Sequence, residues 1–172
     1  MDSLTSTLSP QTTPHTTTRP ATSQDDPFLL ELYKTMRAWE MAQVDWSESE
    51  KDTFLQQQFN AQQTHYLQAF PNATHDIILQ NGQPIGRIYV DHNPTEIRLL
   101  DIVLLPEKRN QGIGAAYLQT LQQAAGQANI PLRFYVWQLN HAAQRFYQRH
   151  GCRVVEEVGA YILMEWRPLQ ST

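Results

Sequence analysis

The sequence predicts an α/β chain of one domain, a mixed sheet of about seven strands flanked by four helices. Three observations lead there. Apolar residues recur at helical spacing in some segments and at every second position in others. The two kinds of segment interleave along the chain rather than forming separate blocks. One strand, "TEIRLLDIVLL", becomes continuously apolar towards its end, as strands buried on both faces do. At 172 residues and 41% hydrophobic content, the chain has material for a single core of two or three layers.

Residues 1–14 hold Ser, Thr, Pro and Gln with almost nothing apolar to bury, and read as a disordered tail ahead of one domain over 15–168. "TTTRPAT" from Thr16 is β-branched and reads as a first strand. Asp25, Asp26 and Pro27 then suit a helix start, with acids at the positive end of its dipole, and the helix runs to about Gln43. Ser47 and Glu50 have capping-box spacing and open a second helix that reaches about Gln68. The period then changes to two. "HDIILQ" and "PIGRIYVD" flank Asn81-Gly82, a tight-turn dipeptide, and form a hairpin. After the central strand comes an amphipathic helix with Ile113, Tyr117, Leu121, Ala124 and Ala128 assigned to its apolar face. "IPLRFYVW" is a strand, "NHAAQRFYQRHG" a short helix ended by Gly151, and "CRVVEEV" with "AYILMEW" a closing hairpin.

Composition removes several functions. Lys and Arg number 13 against 17 Asp and Glu, a formal net charge of −4, so no global field draws in nucleic acid or an anionic membrane. The single cysteine, Cys152, excludes an internal disulfide framework. The N-terminus has no apolar segment of signal-peptide length, and no stretch approaches the ~20 apolar residues of a membrane span, so a cytoplasmic location is expected. His65, His75, His92 and His141 fall in different elements without ligand spacing, and no metal is expected. A homodimer is left open.

Chemistry concentrates in "LLPEKRNQGIG", Leu104 to Gly114. A strand ends, the chain turns through Arg109, Asn110 and Gln111, and a helix starts on Gly112, Ile113 and Gly114. The first amides of a helix are unpaired and carry the dipole's positive charge, so glycines there let a phosphate approach the bare backbone. A plain helix start, with glycines for close packing, is the other reading. A dinucleotide site would need a third glycine where Tyr117 stands, and a P-loop would need Gly-Lys-Ser/Thr.

One strand further on come Asn140, Ala143 and Tyr147, followed by "RHGC". With Arg109-x-x-Gly112-x-Gly114, this spacing resembles the GNAT superfamily of acyl-CoA-dependent N-acetyltransferases over nearly the whole chain from Thr16. The resemblance implies that the two central strands splay into a V-shaped slot. Acetyl-CoA would then set its pyrophosphate on the amides of Arg109, Asn110, Gln111, Gly112, Ile113 and Gly114. Its pantetheine arm would lie along Ile102, Val103 and Leu104, with Asn140 touching that arm and Tyr147 giving its proton to the departing thiolate. No metal takes part. Cys152 stands where the family more often has an aromatic residue, which touches packing rather than chemistry.

The implied reaction moves an acetyl group directly to a primary amine. Such an amine is protonated at neutral pH, so a base is needed, and Glu96 is favoured over Asp101, with Asp91 as a third candidate. Each of these also reads as a solvated strand residue or a partner of Arg87 or Arg98. Trp39, Trp46, Phe54, Phe59 and Tyr66, mixed with glutamines, fit an aromatic or amphipathic acceptor as well as they fit helix packing. A non-catalytic acyl-CoA sensor is the alternative function, and a longer or acidic acyl group the alternative donor.

Overall fold

Local chemistry sets the ends of the elements in the computed structural model, which describes residues 15–169. The expected tail, 1–14, lies outside them. Strand β1 spans Thr16–Pro20 and helices α1 and α2 span Asp26–Met41 and Glu48–Ala69. Strands β2, β3 and β4 are Thr74–Gln80, Gln83–His92 and Ile97–Leu104. Then follow α3, Ile113–Ala128; β5, Leu132–Trp137; α4, His141–Arg149; β6, Arg153–Val158; and β7, Tyr161–Trp166.

The capping box that starts α2 forms as its spacing predicts: the Ser47 amide donates to Glu50 Oε2 at 2.8 Å and the Glu50 amide to Ser47 Oγ at 3.3 Å. Asp25 does more than meet a dipole. It caps Thr22 and takes a two-pronged ion pair from Arg19 at 2.8 Å, tying β1 to the start of α1. On α3 the buried residues are Ile113, Leu118, Leu121 and Ala125, whereas Ala128 is exposed. Ala128 points within about 20° of buried Leu121 at 3.6 residues per turn, so its exposure reflects its place as the last residue of the helix and not a drift of the stripe.

The sheet order is β1-β2-β3-β4-β5-β7-β6, antiparallel except between β4 and β5. Neighbouring residues of β2 show its two sides. Ile77 belongs to a cluster with Leu29, Tyr33, Leu55 and Phe59 of α1 and α2, whereas Ile78 joins the larger core beneath α3. Helices α1 and α2 pack on the first face, against β2, β3 and β4. On that same face, Tyr135 of β5 and Tyr161 of β7 are exposed.

Two features of β4 shape the centre of the sheet. Parallel pairing to β5 is confined to Ile97 with Leu132 and Arg98 with Arg133, after which the strands part. The register to β3 slips between Leu99 and Asp101, leaving Leu100 as a bulge. The extra residue reverses the alternation, so Ile97 and Leu99 face α3 before it and Ile102 and Leu104 after it. Asp101 is thereby turned towards α2. Opposite the later half of β4, Gly86 is glycine because a Cβ would lie 2.3 Å from the Val103 carbonyl oxygen.

An ion network ties the closed end of the V. Glu96 accepts from Arg98 through Oε1 at 2.7 Å and from Arg133 through Oε2 at 3.1 Å. Glu165, 2% exposed, accepts from Arg133, Arg167 and Arg153. Burial by itself would raise its carboxyl, but the three guanidinium groups outweigh it and hold it at about 2, below the ordinary 4.5. A depressed folded pKa contributes stability that is whole above the unfolded value and is lost as pH falls from about 4.5 to about 2. The melting temperature of Glu165→Gln is therefore expected to lie below wild type at neutral pH and to meet it near pH 2; a gap independent of pH would refute this.

Candidate active site

The turn after β4 is built for close approach. Asn110 and Gly112 have φ of 58° and 80°, in the left-handed region that points successive amides to one side. The first helical bond of α3 runs from the Ala116 amide to the Gly112 carbonyl at 3.1 Å. Among the described residues, no backbone N–H from Asn110 to Ala115 has a protein acceptor. This row of donors at the helix's positive end suits a polyanion. Gly112 owes its identity to its backbone angle. Gly114 does not: a Cβ there would meet only Phe146 Cζ, at 3.7 Å, so no clash within the protein requires the glycine and the free space lies outside the helix. The turn therefore has the unpaired donors and the room that a pyrophosphate would need.

Side chains of the turn hold its shape. Arg109 donates from Nε to the Leu104 carbonyl at 3.0 Å and from its guanidinium to Thr35 Oγ1 at 3.3 Å, linking the end of β4 to α1. Gln111 bonds the Glu107 carbonyl at 2.8 Å. Ile113 is buried in the core under α3. Beside the turn, Ile102, Val103 and Leu104 sit where β4 has already left β5, so their β5-facing edge has no strand partner among the described residues.

Across the slot, Asn140 caps α4 by accepting from the Ala143 amide at 3.1 Å, and its side-chain nitrogen has no partner among the described residues. Tyr147 follows two turns later. Its ring lies 4.2 Å from that of Phe134 on β5 and 5.1 Å from that of Phe146. Its hydroxyl makes no hydrogen bond among the described residues, and burial, then the nearby Asp101 carboxylate, push it well above the ordinary phenol value. Cys152, buried beside it, has its thiol pushed up to about 11 by burial, the wrong direction for a nucleophile.

The candidate bases separate. Glu96 lies at the closed end of the V with both carboxylate oxygens taken by arginines. Asp91, near the end of β3, accepts from the Asn93 side chain at 3.2 Å. Asp101, just past the bulge, gives one oxygen, Oδ2, to Arg87. Its Oδ1 has no partner among the described residues.

Arg87, one of the two arginines expected to pair with these carboxylates, holds Asp101, and its burial against α2 is what the sequence did not show. Arg87 is 2% exposed and also donates to Gln63 at 3.0 Å and to Gln62 at 2.7 Å. Tyr66 donates to the bulged Leu100 carbonyl at 3.3 Å. The signal for Arg87 was a lone charge at an inward position of an otherwise apolar strand, since a buried charge needs partners. The aromatic residues of the first two helices split as well. Phe59 is core, Trp46 and Phe54 form an edge-to-face pair, and Trp39 stays 62% exposed, 6.2 Å from Trp137.

A model of the Acetyltransferase (GNAT) family matches residues 33–152. No curated protein sequence matches the chain. Among solved structures, the PaiA N-acetyltransferase of Thermoplasma acidophilum in complex with coenzyme A superimposes with a TM-score of 0.67 at 19% identity, covering 89% of this chain and 99% of that one. The ribosomal-protein-S18-alanine N-acetyltransferase of Escherichia coli gives 0.61 at 18% identity, over 92% and 97%. A GNAT family acetyltransferase of Elizabethkingia anophelis with acetyl-CoA bound gives 0.56 at 16%, over 88% and 97%. At these identities the likeness is one of fold.

Proposed function

The chain belongs to the GNAT acetyltransferase family, and from that premise we propose that it is an N-acetyltransferase that passes an acetyl group from acetyl-CoA to the primary amine of a small molecule or peptide. The observation that carries this reading is the unpaired amide row from Asn110 to Ala115, continuous with the unpartnered edge of β4, together with the Tyr147 hydroxyl, which lies near Asp101 and has no hydrogen bond among the described residues.

When bound, acetyl-CoA supplies an activated thioester carbonyl. The amides of the turn hold its pyrophosphate, the main chain of Ile102, Val103 and Leu104 aligns its arm, and Asn140 offers a free amide donor to it. Asp101 and Tyr147 divide the proton work between the two faces of the sheet. Asp101 looks towards α2, where Arg87 pins one oxygen and leaves the other to accept a proton, directly or through a water. It is the better base than Glu96, whose oxygens are both engaged. Deprotonating an amine of pKa about 10.4 at pH 7 costs about 4 to 5 kcal/mol, which explains the need for such an acceptor. The Tyr147 hydroxyl, raised above its ordinary value, keeps its proton and stabilises the departing sulfur by donating a hydrogen bond. Complete transfer to a thiolate of pKa near 8.5 would be uphill.

The direct test is thiol release from acetyl-CoA with a panel of primary amines. Release above hydrolysis with at least one amine is expected. Tight acetyl-CoA binding with no release from any amine would replace the enzyme with a non-catalytic sensor.

A further inference from the structure

We propose that the acceptor is an amine carrying an aromatic group, and that this group docks in an open aromatic groove formed by Trp39 of α1, Tyr135 and Trp137 of β5 and Tyr161 of β7. This rests on the acetyltransferase reading and names the substrate class of the same site.

The groove follows from which side of each strand faces which helices. Phe134 and Val136 of β5, and Ile162 and Met164 of β7, belong to the core under α3. Alternation sends Tyr135, Trp137 and Tyr161 to the opposite face. That is the face of Asp101, from which an amine would approach the slot. Trp137 and Tyr161 are direct cross-strand partners, and Tyr135 stands two residues along from Trp137.

The wall opposite is α1. Thr35 touches Arg109 at the glycine turn, and Trp39 lies one turn further along the same side of the helix, 6.2 Å from Trp137. The groove is thus continuous with the donor site. At its other end the Arg98 guanidinium lies over the Tyr135 ring at 5.3 Å.

These rings are open. Trp39 is 62% exposed, Tyr161 51% and Tyr135 49%, although large aromatics are usually buried because each removes a large apolar area from water. Several exposed together beside a reactive slot mark a binding surface. Their flat faces suit another ring, and their negative π-faces also attract the ammonium that an amine carries before reaction.

The test compares 2-phenylethylamine with n-butylamine by intrinsic tryptophan fluorescence, with and without CoA, alongside calorimetry of CoA itself. The aromatic probe is expected to bind about tenfold more tightly. Trp39→Ala and Tyr161→Ala, both at exposed positions, should bring the two amines level while leaving CoA affinity unchanged. Equal binding in wild type, or a preference that survives both substitutions, would overturn the proposal. So would Trp39→Ala weakening CoA rather than the amine, or dissolving a dimer seen by ultracentrifugation, since the rings would then serve the donor or a second copy. Absence of CoA binding would remove the acetyltransferase reading, while the amine titration without CoA would still judge the groove.

Discussion

Gly114→Glu is expected to weaken acetyl-CoA binding at least about 100-fold while leaving the melting temperature within a few degrees of wild type. The reason is geometric and electrostatic together. A Cβ at Gly114 meets nothing closer in the protein than Phe146 Cζ at 3.7 Å, so the fold has room for it. That room is the space in front of the unpaired amides, and a carboxylate placed there competes with the pyrophosphate for the same donors. Hydrogen bonds to charged groups contribute about 1.5–3 kcal/mol each, so losing two of them accounts for the factor. Gly112 makes a poorer test. Its φ of 80° strains any β-branched replacement, so Gly112→Val would disturb the turn itself as well as the ligand. Calorimetry with acetyl-CoA, paired with a thermal melt, measures both quantities. A Gly114→Glu protein that binds like wild type would take the amide row out of the mechanism.

Tyr147→Phe should lower kcat by about 10² with little change in acetyl-CoA affinity. Phenylalanine keeps the ring packing on Phe134 and Phe146, so the slot wall stays in place. What is lost is one donor aimed at charge that develops on the leaving sulfur, and removing a donor of this kind costs about 10²–10³ in turnover. Single-turnover measurements must first establish that chemistry limits the rate, because slow CoA release would hide the effect. Undiminished single-turnover chemistry in the phenylalanine variant would return Tyr147 to an aromatic lining of the slot.

Much of the frame could be read from local patterns. The capping box at Ser47 and Glu50, the turn at Asn81-Gly82 and the glycine turn before α3 each depend on residues within a few positions of one another, and each forms as its residues require. The base was harder. Glu96 and Asp101 are both carboxylates near an arginine in the sequence, and the preference for Glu96 has no local signal behind it. The bulge at Leu100 separates their surroundings, because it turns Asp101 onto the α2 face, where Arg87 holds one of its oxygens. A bulge is a mismatch between two strands, and neither strand records it alone.

The sequence by itself therefore determined the order of strands and helices, the amide turn and the spacing from Gly112 to Tyr147, since these rest on periodicity, caps and backbone angles that neighbouring residues impose. Only the tertiary structure decided which carboxylate is free, that Arg87 is buried among Gln62, Gln63 and Asp101, and that Trp39 meets Trp137 in the open. Those pairings join residues separated by 14 to 98 positions in the chain, as Asp101 lies 14 from Arg87 and Trp137 lies 98 from Trp39. Contacts at such separation arise from the packing of whole elements, and the intervening chain carries no local preference that encodes them.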